Sequence, residues 1–279
     1  MLFGYFCLSL FTGGALKFLL KMKTFMLFLF SPLEQFSILP LNKILFLGFD
    51  FSITNSVFIL TFGFSCFFFA LCSLKSVKNS FYVVPNRIQF LVEMIYDVVY
   101  GLINDNVGSV GKAFFPYIFT LFTFILISNI VGLVPYSFTV TSHLIVTFAL
   151  ALMTFIGINL VCLREHGINF LSLFLPPGSS IILALLLVPI EFVSYIFRPI
   201  SLSVRLFANM MAGHTLLKVI AGFAWSMLLV GSSLILAAHT IPLSILVVLM
   251  LLELAVAVIQ AYVFTILTCI YINDAIHLH

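Results

Sequence analysis

Charge is what this sequence has least of. Only 8% of its 279 residues are Asp, Glu, Lys or Arg, 12 basic against 9 acidic, where a soluble domain carries about 25%. With 63% hydrophobic residues, there is too little polar surface to solvate a folded monomer and too much apolar surface for a disordered chain. A formal charge of +3, thinly spread, offers no basic patch and argues against nucleic-acid binding. Alternating apolar and polar runs are missing too, which disfavours a β-barrel. Cysteines are few: Cys7, Cys66, Cys72, Cys162 and Cys269, each in an apolar run and none in a CxxC pair. They read as buried, reduced small hydrophobes. No H-x-x-x-H or E-x-x-H cluster suggests a metal. His143, His166, His214 and His239 lack the one-helix pairing that would support haems. Neither a Ser/His/Asp set nor a Gly-rich phosphate loop stands out. No cofactor is expected. What is left is an all-α polytopic membrane protein.

Charge-free windows mark its spans, since about 20 apolar residues cross the hydrocarbon core. One lies between Asp50 and Lys75. Between Lys112 and Arg164 there is room for two, divided at VPYSFTVT with Pro135 as breaker. Another apolar stretch begins after Glu165 with LPPGSS, and the rest of the chain is nearly all apolar, with a turn expected around Gly231 and Pro242. This makes about five membrane-inserted helices. Pro85 to Asn106 differs: Ile88, Leu91, Ile95, Val98 and Leu102 repeat at helical spacing, with Asn86, Gln89, Glu93, Asp97 and Asn104 on the other side. Such an amphipathic helix belongs on the membrane surface or against neighbouring helices. Lys75, Lys78, Arg87, Lys112 and Arg164 assign their loops to the negative-potential side, which puts residues 31–50 on the far side and the C-terminus on the near side. Residues 1–30, with Lys17, Lys21 and Lys23 and no acid, read as a hydrophobic N-terminal extension or a targeting leader, and residues 31–279 as the membrane domain.

Ionisable groups at membrane depth are costly and usually functional. Arg205, in SLSVRLFANMMAGHTLLKVI, cannot discard its charge. At 100° per residue Asn209 lies about 40° from it and Ala212 about 20°, with Ser201 and Ala208 flanking. This face of one cation, one amide and small residues suits close approach of another helix. The competing expectation is an Arg paired internally to a Glu. His214 lies about 180° round from Arg205 and should face the protein's own helices; such a histidine is also often a hydrogen-bonded filler. Glu253, Gln260 and Asp274 form a slowly drifting stripe about 31 Å long, roughly the hydrocarbon thickness. It reads as a water-lined or relay path, or else as hydrogen-bonded glue between helices. Glu191 precedes Arg205 by fourteen residues, about 40° off its face. Acids toward one side, a Glu and a His toward the other, and a permanent cation between them suggest proton movement with a central barrier.

At SLSVRLFANMMAGHTLLKVIAGF the sequence resembles the family of subunit a of the F-type ATP synthase. SPLEQF at 31–36, PNRIQFLVEMIYDVV at 85–99 and LLELAVAVIQAYVFTILTCIYIND at 251–274 agree. His214 with Glu253 looks like the mitochondrial and alphaproteobacterial arrangement; many other bacterial members carry the two residue types reversed. SPLEQF looks like the mature start in relatives that lose a leader. The resemblance implies that Arg205 faces a carboxylate of the c-ring. It implies that His214, Glu253, Asn209 and Gln260 surround the half-channel from the positive side, and that Glu191 and Asp274 serve the matrix side. It further implies one span, a surface helix, a hairpin and two long tilted helices around the c-ring. The expected partners are c-ring subunits, other membrane and peripheral-stalk subunits of the synthase, and lipid. The expected location is the mitochondrial inner membrane, or alternatively an alphaproteobacterial plasma membrane. The chain alone is not expected to be an enzyme. A self-contained proton-coupled transporter is the alternative function; it would need an inverted repeat and a substrate cavity, and no repeat is visible.

Overall fold

The computed structural model describes residues 36–43, 45–46, 49–50, 52–75, 87–134, 137–167, 181–229 and 239–276. The N-terminal extension, Lys78, Pro135, LPPGSS and Gly231, on which sequence expectations fall, lie outside the described residues. The architecture is all-α and polytopic. Among the described residues it departs from that only in two small antiparallel pairings, β1 (Pro40–Asn42) with β4 (Ile53–Thr54) and β2 (Leu45–Phe46) with β3 (Phe49–Asp50). The side-chain oxygen of Asn55 accepts hydrogen bonds from Leu39 N–H at 3.3 Å and Ser56 N–H at 2.9 Å. It ties this ribbon to the start of α1 (Asn55–Lys75).

After α1 come α2 (Arg87–Asn106), a 3₁₀ segment (Gly108–Phe114), α3 (Phe115–Gly132), a 3₁₀ turn (Val140–Ser142), α4 (Leu144–His166), α5 (Ile181–Leu229) and α6 (Thr240–Ile276). Among the described residues four segments are long and apolar enough to cross a membrane: Val110–Gly132, Leu144–His166, Leu186–Met227 and Thr240–Ile276; α1 adds a shorter one, Asn55–Phe68. Helix ends have local causes. Gly108 at φ +73° turns the chain after α2, a conformation costly for residues with a Cβ. The Ser137 hydroxyl donates to Val131 O at 2.7 Å and Gly132 O at 3.1 Å, satisfying carbonyls left open at the end of α3. Pro242 falls within the first turn of α6, where a missing N–H costs nothing, so the turn expected around it ends before it. Pro189 and Pro199 sit inside α5 without ending it; membrane helices tolerate such prolines when neighbours meet the freed carbonyls.

The described residues fall into two compact units. One comprises residues 38–214 and 248–279, and the other takes the described parts of Met1–Ser37 and Thr215–Val247. The second unit shows mostly apolar side chains outward: Val219, Phe223 and Ile241 are each about three-fifths exposed, while Ala224 is buried. The first unit holds the core. Helix α3 contributes Ile118, Leu121, Phe122 and Ile125 at helical spacing, α2 Val99 and Ile103, and α4 Ala151, Ile158 and Cys162. Helix α5 adds Leu202 and Leu206, and α6 adds Ala261, Phe264, Cys269, Ile272 and Ala275. Small residues on α6 permit the close approach that membrane packing relies on. Facing outward are Ile145 (78% exposed), Met153, Leu251 and Val248. A water-facing surface would not carry them; hydrocarbon is the solvent they fit.

The apolar stripe of α2 divides between the two surroundings expected for it. Ile88, Leu91 and Val98 point outward, whereas Gln89, Val99, Leu102 and Ile103 are buried. The core engages only the C-terminal half of this helix, and Gln89 is satisfied locally by donating to Glu93 Oε1 at 2.7 Å. The outward apolar stripe is left to the bilayer.

Candidate functional site

Arg205 stands on the exposed flank of α5, with Ser201, Ala208 and Ala212, while Leu202, Ser203, Leu206 and Met210 face the core. The expected cation-plus-small-residue face is therefore real and open. Internal pairing to an acid is not how Arg205 is satisfied: among the described residues the ion pair belongs to Arg198, not Arg205. Asn209 is half-buried one turn on.

Farther along α5, Gly213 meets α6. A Cβ on Gly213 would come within 2.8 Å of Glu253 Oε1 and 3.0 Å of its Cδ, so the carboxyl group of Glu253 lies directly on the glycine. His214 follows in sequence, half-buried. The helix pair thus brings the His214 turn of α5 to Glu253. Glu253 is 9% exposed, and neither carboxylate oxygen has a hydrogen-bond partner among the described residues. An unsatisfied buried polar group costs about 1–3 kcal/mol, so this acid sits where a water, a proton or a partner group is needed. Gln260 is half-buried on the same stripe.

Sequence reasoning missed Asn129 of α3. It is fully buried, and its Nδ2 donates to Ala257 O of α6 at 3.3 Å, one turn beyond Glu253, leaving Oδ1 without a partner among the described residues. Ser128 Oγ, Thr141 Oγ1 and His143 Nε2 are likewise buried and unpartnered among the described residues. The His143 ring stacks on Phe138 at 5.0 Å, and burial holds its imidazole below the ordinary histidine value. An isolated Asn in an apolar helix was the available signal.

Asp274 lies in a different environment. Arg198 Nη1 is 3.5 Å from its Oδ2. The guanidinium also sits over the Tyr271 ring at 4.9 Å and the Tyr195 ring at 5.3 Å, a geometry favourable to cations. The Tyr195 hydroxyl donates to Asn159 Oδ1 of α4. Tyr195, Arg198, Tyr271 and Asp274, with Phe155, Ile158, Cys162 and Ala275, line a small cavity. Arg198, Tyr195, Tyr271 and Asn159 were not singled out from sequence, although Arg198 falls midway between Glu191 and Arg205 at intervals of seven. Glu191 is half-buried, with Oε2 unpartnered among the described residues. No group of three or more His, Cys, Asp or Glu that could hold a metal occurs among the described residues.

Residues 54–273 match the model of the family described as ATP synthase A chain. The chain belongs to this family. ATP synthase subunit a of Pylaiella littoralis is 59% identical over 250 residues, 89% of this chain and 99% of the relative. That of Chondrus crispus is 50% identical, with 89% and 97% covered, and that of Rhodospirillum rubrum 45% identical, with 89% and 99% covered. Within this ATP synthase family segment lie Glu191, Arg205, Asn209, His214, Glu253 and Gln260, and Asp274 follows its last residue directly.

Proposed function

We propose that this chain is the static proton-translocating subunit of a rotary ATP synthase, with two offset half-channels opening on a ring of c-subunits. In this reading residues 31–279 are the working membrane domain, following a hydrophobic extension or leader of residues 1–30. A proton enters past His214 and Glu253, with Asn209 and Gln260 lining the way, and protonates a ring carboxylate. The ring turns through lipid, and the proton leaves past Glu191 and Asp274. Arg205 forces the arriving carboxylate to ionise and bars leakage along the ring face. The electrical drive is about 2.3 kcal/mol per charge per 100 mV. The chain makes and breaks no covalent bond itself. Its partners are the c-ring, other membrane and peripheral-stalk subunits, and lipid; the location is the mitochondrial inner membrane, or an alphaproteobacterial plasma membrane.

One observation carries this reading: Arg205 stands on an exposed, small-residue flank of α5, while Glu253 on one side of its level is buried and Asp274 on the other is paired to Arg198. A permanent cation facing outward from an apolar helix requires a partner outside the chain, and a ring carboxylate supplies one. The self-contained transporter would instead bury its charged site. The test is Arg205→Ala in the assembled complex. ATP synthesis should vanish, and passive proton flux that depends on the ring carboxylates should appear. Normal pumping by this variant would overturn the proposal.

A further inference from the structure

Arg205 faces outward, so it guards only the route in front of α5. Two polar regions also lie behind it, inside the helix pair, and something must keep them from joining. The stripe on α6 shows where. Glu253, Gln260 and Asp274 occupy positions seven and fourteen apart, and the position passed over is Leu267. Helices α5 and α6 run antiparallel here, because Arg198 meets Asp274 and Gly213 meets Glu253. Arg205 lies seven residues along the fifteen from Arg198 to Gly213. The same fraction of the path from Asp274 to Glu253 falls at about residue 264, given the uniform rise of a helix. Arg205 is therefore level with the turn from Phe264 to Leu267.

That level is apolar. Phe264 is 2% exposed, Leu267 packs on the same core cluster, and Leu202 (5%) and Leu206 (1%) bracket Arg205 on its buried side. The hydroxyls nearby are turned back on their own helices: Thr265 donates to Ala261 O and Tyr262 O, Thr268 to Thr265 O and Ser203 to Ile200 O. None of the buried side-chain atoms lacking a partner belongs to Leu202–Leu206 or Phe264–Thr268. Water needs two to four polar partners to occupy an interior site, and the hydroxyls of this layer are already engaged with carbonyls of their own helices.

We infer that Phe264 and Leu267 of α6, with Leu202 and Leu206 of α5, form an apolar septum that seals the interior route behind Arg205. The inference rests on the proton-channel reading and divides the sealing task. The arginine closes the ring face and the septum closes the protein interior. The two leaks therefore differ in kind: one needs ring carboxylates and the other bypasses them.

The test uses the whole complex in vesicles, with proton flux driven by a potassium diffusion potential and the ring carboxylates blocked by a carbodiimide. Leu267→Asn should raise the blocked flux about tenfold or more, because an amide there can hold water that leucine excludes. Leu267→Met, which keeps the volume, and Ile270→Asn, on the exposed side of the helix, should both stay tight. The Arg205→Ala leak, by contrast, should disappear under the blocker. A tight Leu267→Asn complex would overturn the septum. Should Leu267→Asn fail to assemble, Leu267→Cys decides: a water-soluble thiol reagent, located by mass spectrometry, should label Gln260→Cys and Asp274→Cys but not position 267. Labelling at 267 would overturn the inference. Unchanged blocker-sensitive flux in Glu253→Gln would instead sink the channel reading itself, whatever Leu267 does.

Discussion

Glu253 and Asp274 are two carboxylates on one stripe of one helix, and the protein treats them oppositely. Glu253 is pressed against a glycine of α5 with both oxygens unpartnered among the described residues. Asp274 is held by Arg198, whose guanidinium is itself placed over two tyrosine rings. The same residue class at the same helical phase is thus left to seek an outside partner at one end and given an internal one at the other. A group that must take up and pass on a proton benefits from having no fixed competitor. A group beside a fixed cation keeps its charge compensated and its position defined. The contrast suits a path that loads at one end and discharges at the other.

The sharpest way to break the contrast is to change what Glu253 is. Glu253→Gln keeps the shape and removes the titration, and it should lower proton pumping about a hundredfold, the lower range for loss of an acid–base group. His214→Glu and Glu253→His should each be nearly as damaging, because each places two like groups together. The double variant restores one acid and one imidazole and should recover more than the sum of the single effects allows. Pumping rates of all four forms in vesicles check this; strictly additive losses would mean that the two residues do not share a path.

A milder change leaves the acid and moves it. Gly213→Ala puts a Cβ within 2.8 Å of Glu253 Oε1. The atom it strikes is the far end of a flexible side chain, so the complex should assemble with the carboxyl group displaced. Pumping should fall about tenfold, less than the roughly hundredfold that a fixed ångström-scale misplacement can cost, because the flexible carboxyl group can partly re-seat. Wild-type rates would show that the close approach serves packing alone.

The smallest effects belong to the Asp274 end. Asp274→Asn or Arg198→Gln should slow pumping only about two- to fivefold, since water carries protons past one missing side chain. Arg198→Lys should not restore the rate fully, because an ammonium lacks the planar fork that bridges carboxylate and rings. If Asp274→Asn proved as damaging as Glu253→Gln, the proposed asymmetry of the two ends would be gone.

Much of this was legible before any coordinates. Arg205, His214, Glu253 and Asp274 stand out in an almost uncharged chain, because hydrocarbon penalises ionisable groups so heavily that each one left in place needs a reason. The helical phase also anticipated the outward face of Arg205. Arg198 was not legible as the partner of Asp274. One Arg among apolar residues does not show which acid, seventy-six positions on, the fold returns to it. Which part of the α2 stripe meets lipid and which meets the core was not legible for a related reason. Periodicity locates an apolar stripe, but in a membrane protein both lipid and core accept such a stripe, so hydrophobicity alone cannot tell in from out.

The sequence by itself determined the solvent, the spans and the few ionisable residues within them, because those follow from composition and the 3.6-residue period. Only the tertiary structure decided which charges meet. It set Gly213 under Glu253 and Arg198 beside Asp274, and it aligned Phe264 and Leu267 with Arg205. Such pairings depend on the register of two helices distant in sequence, which leaves no mark on either segment read alone.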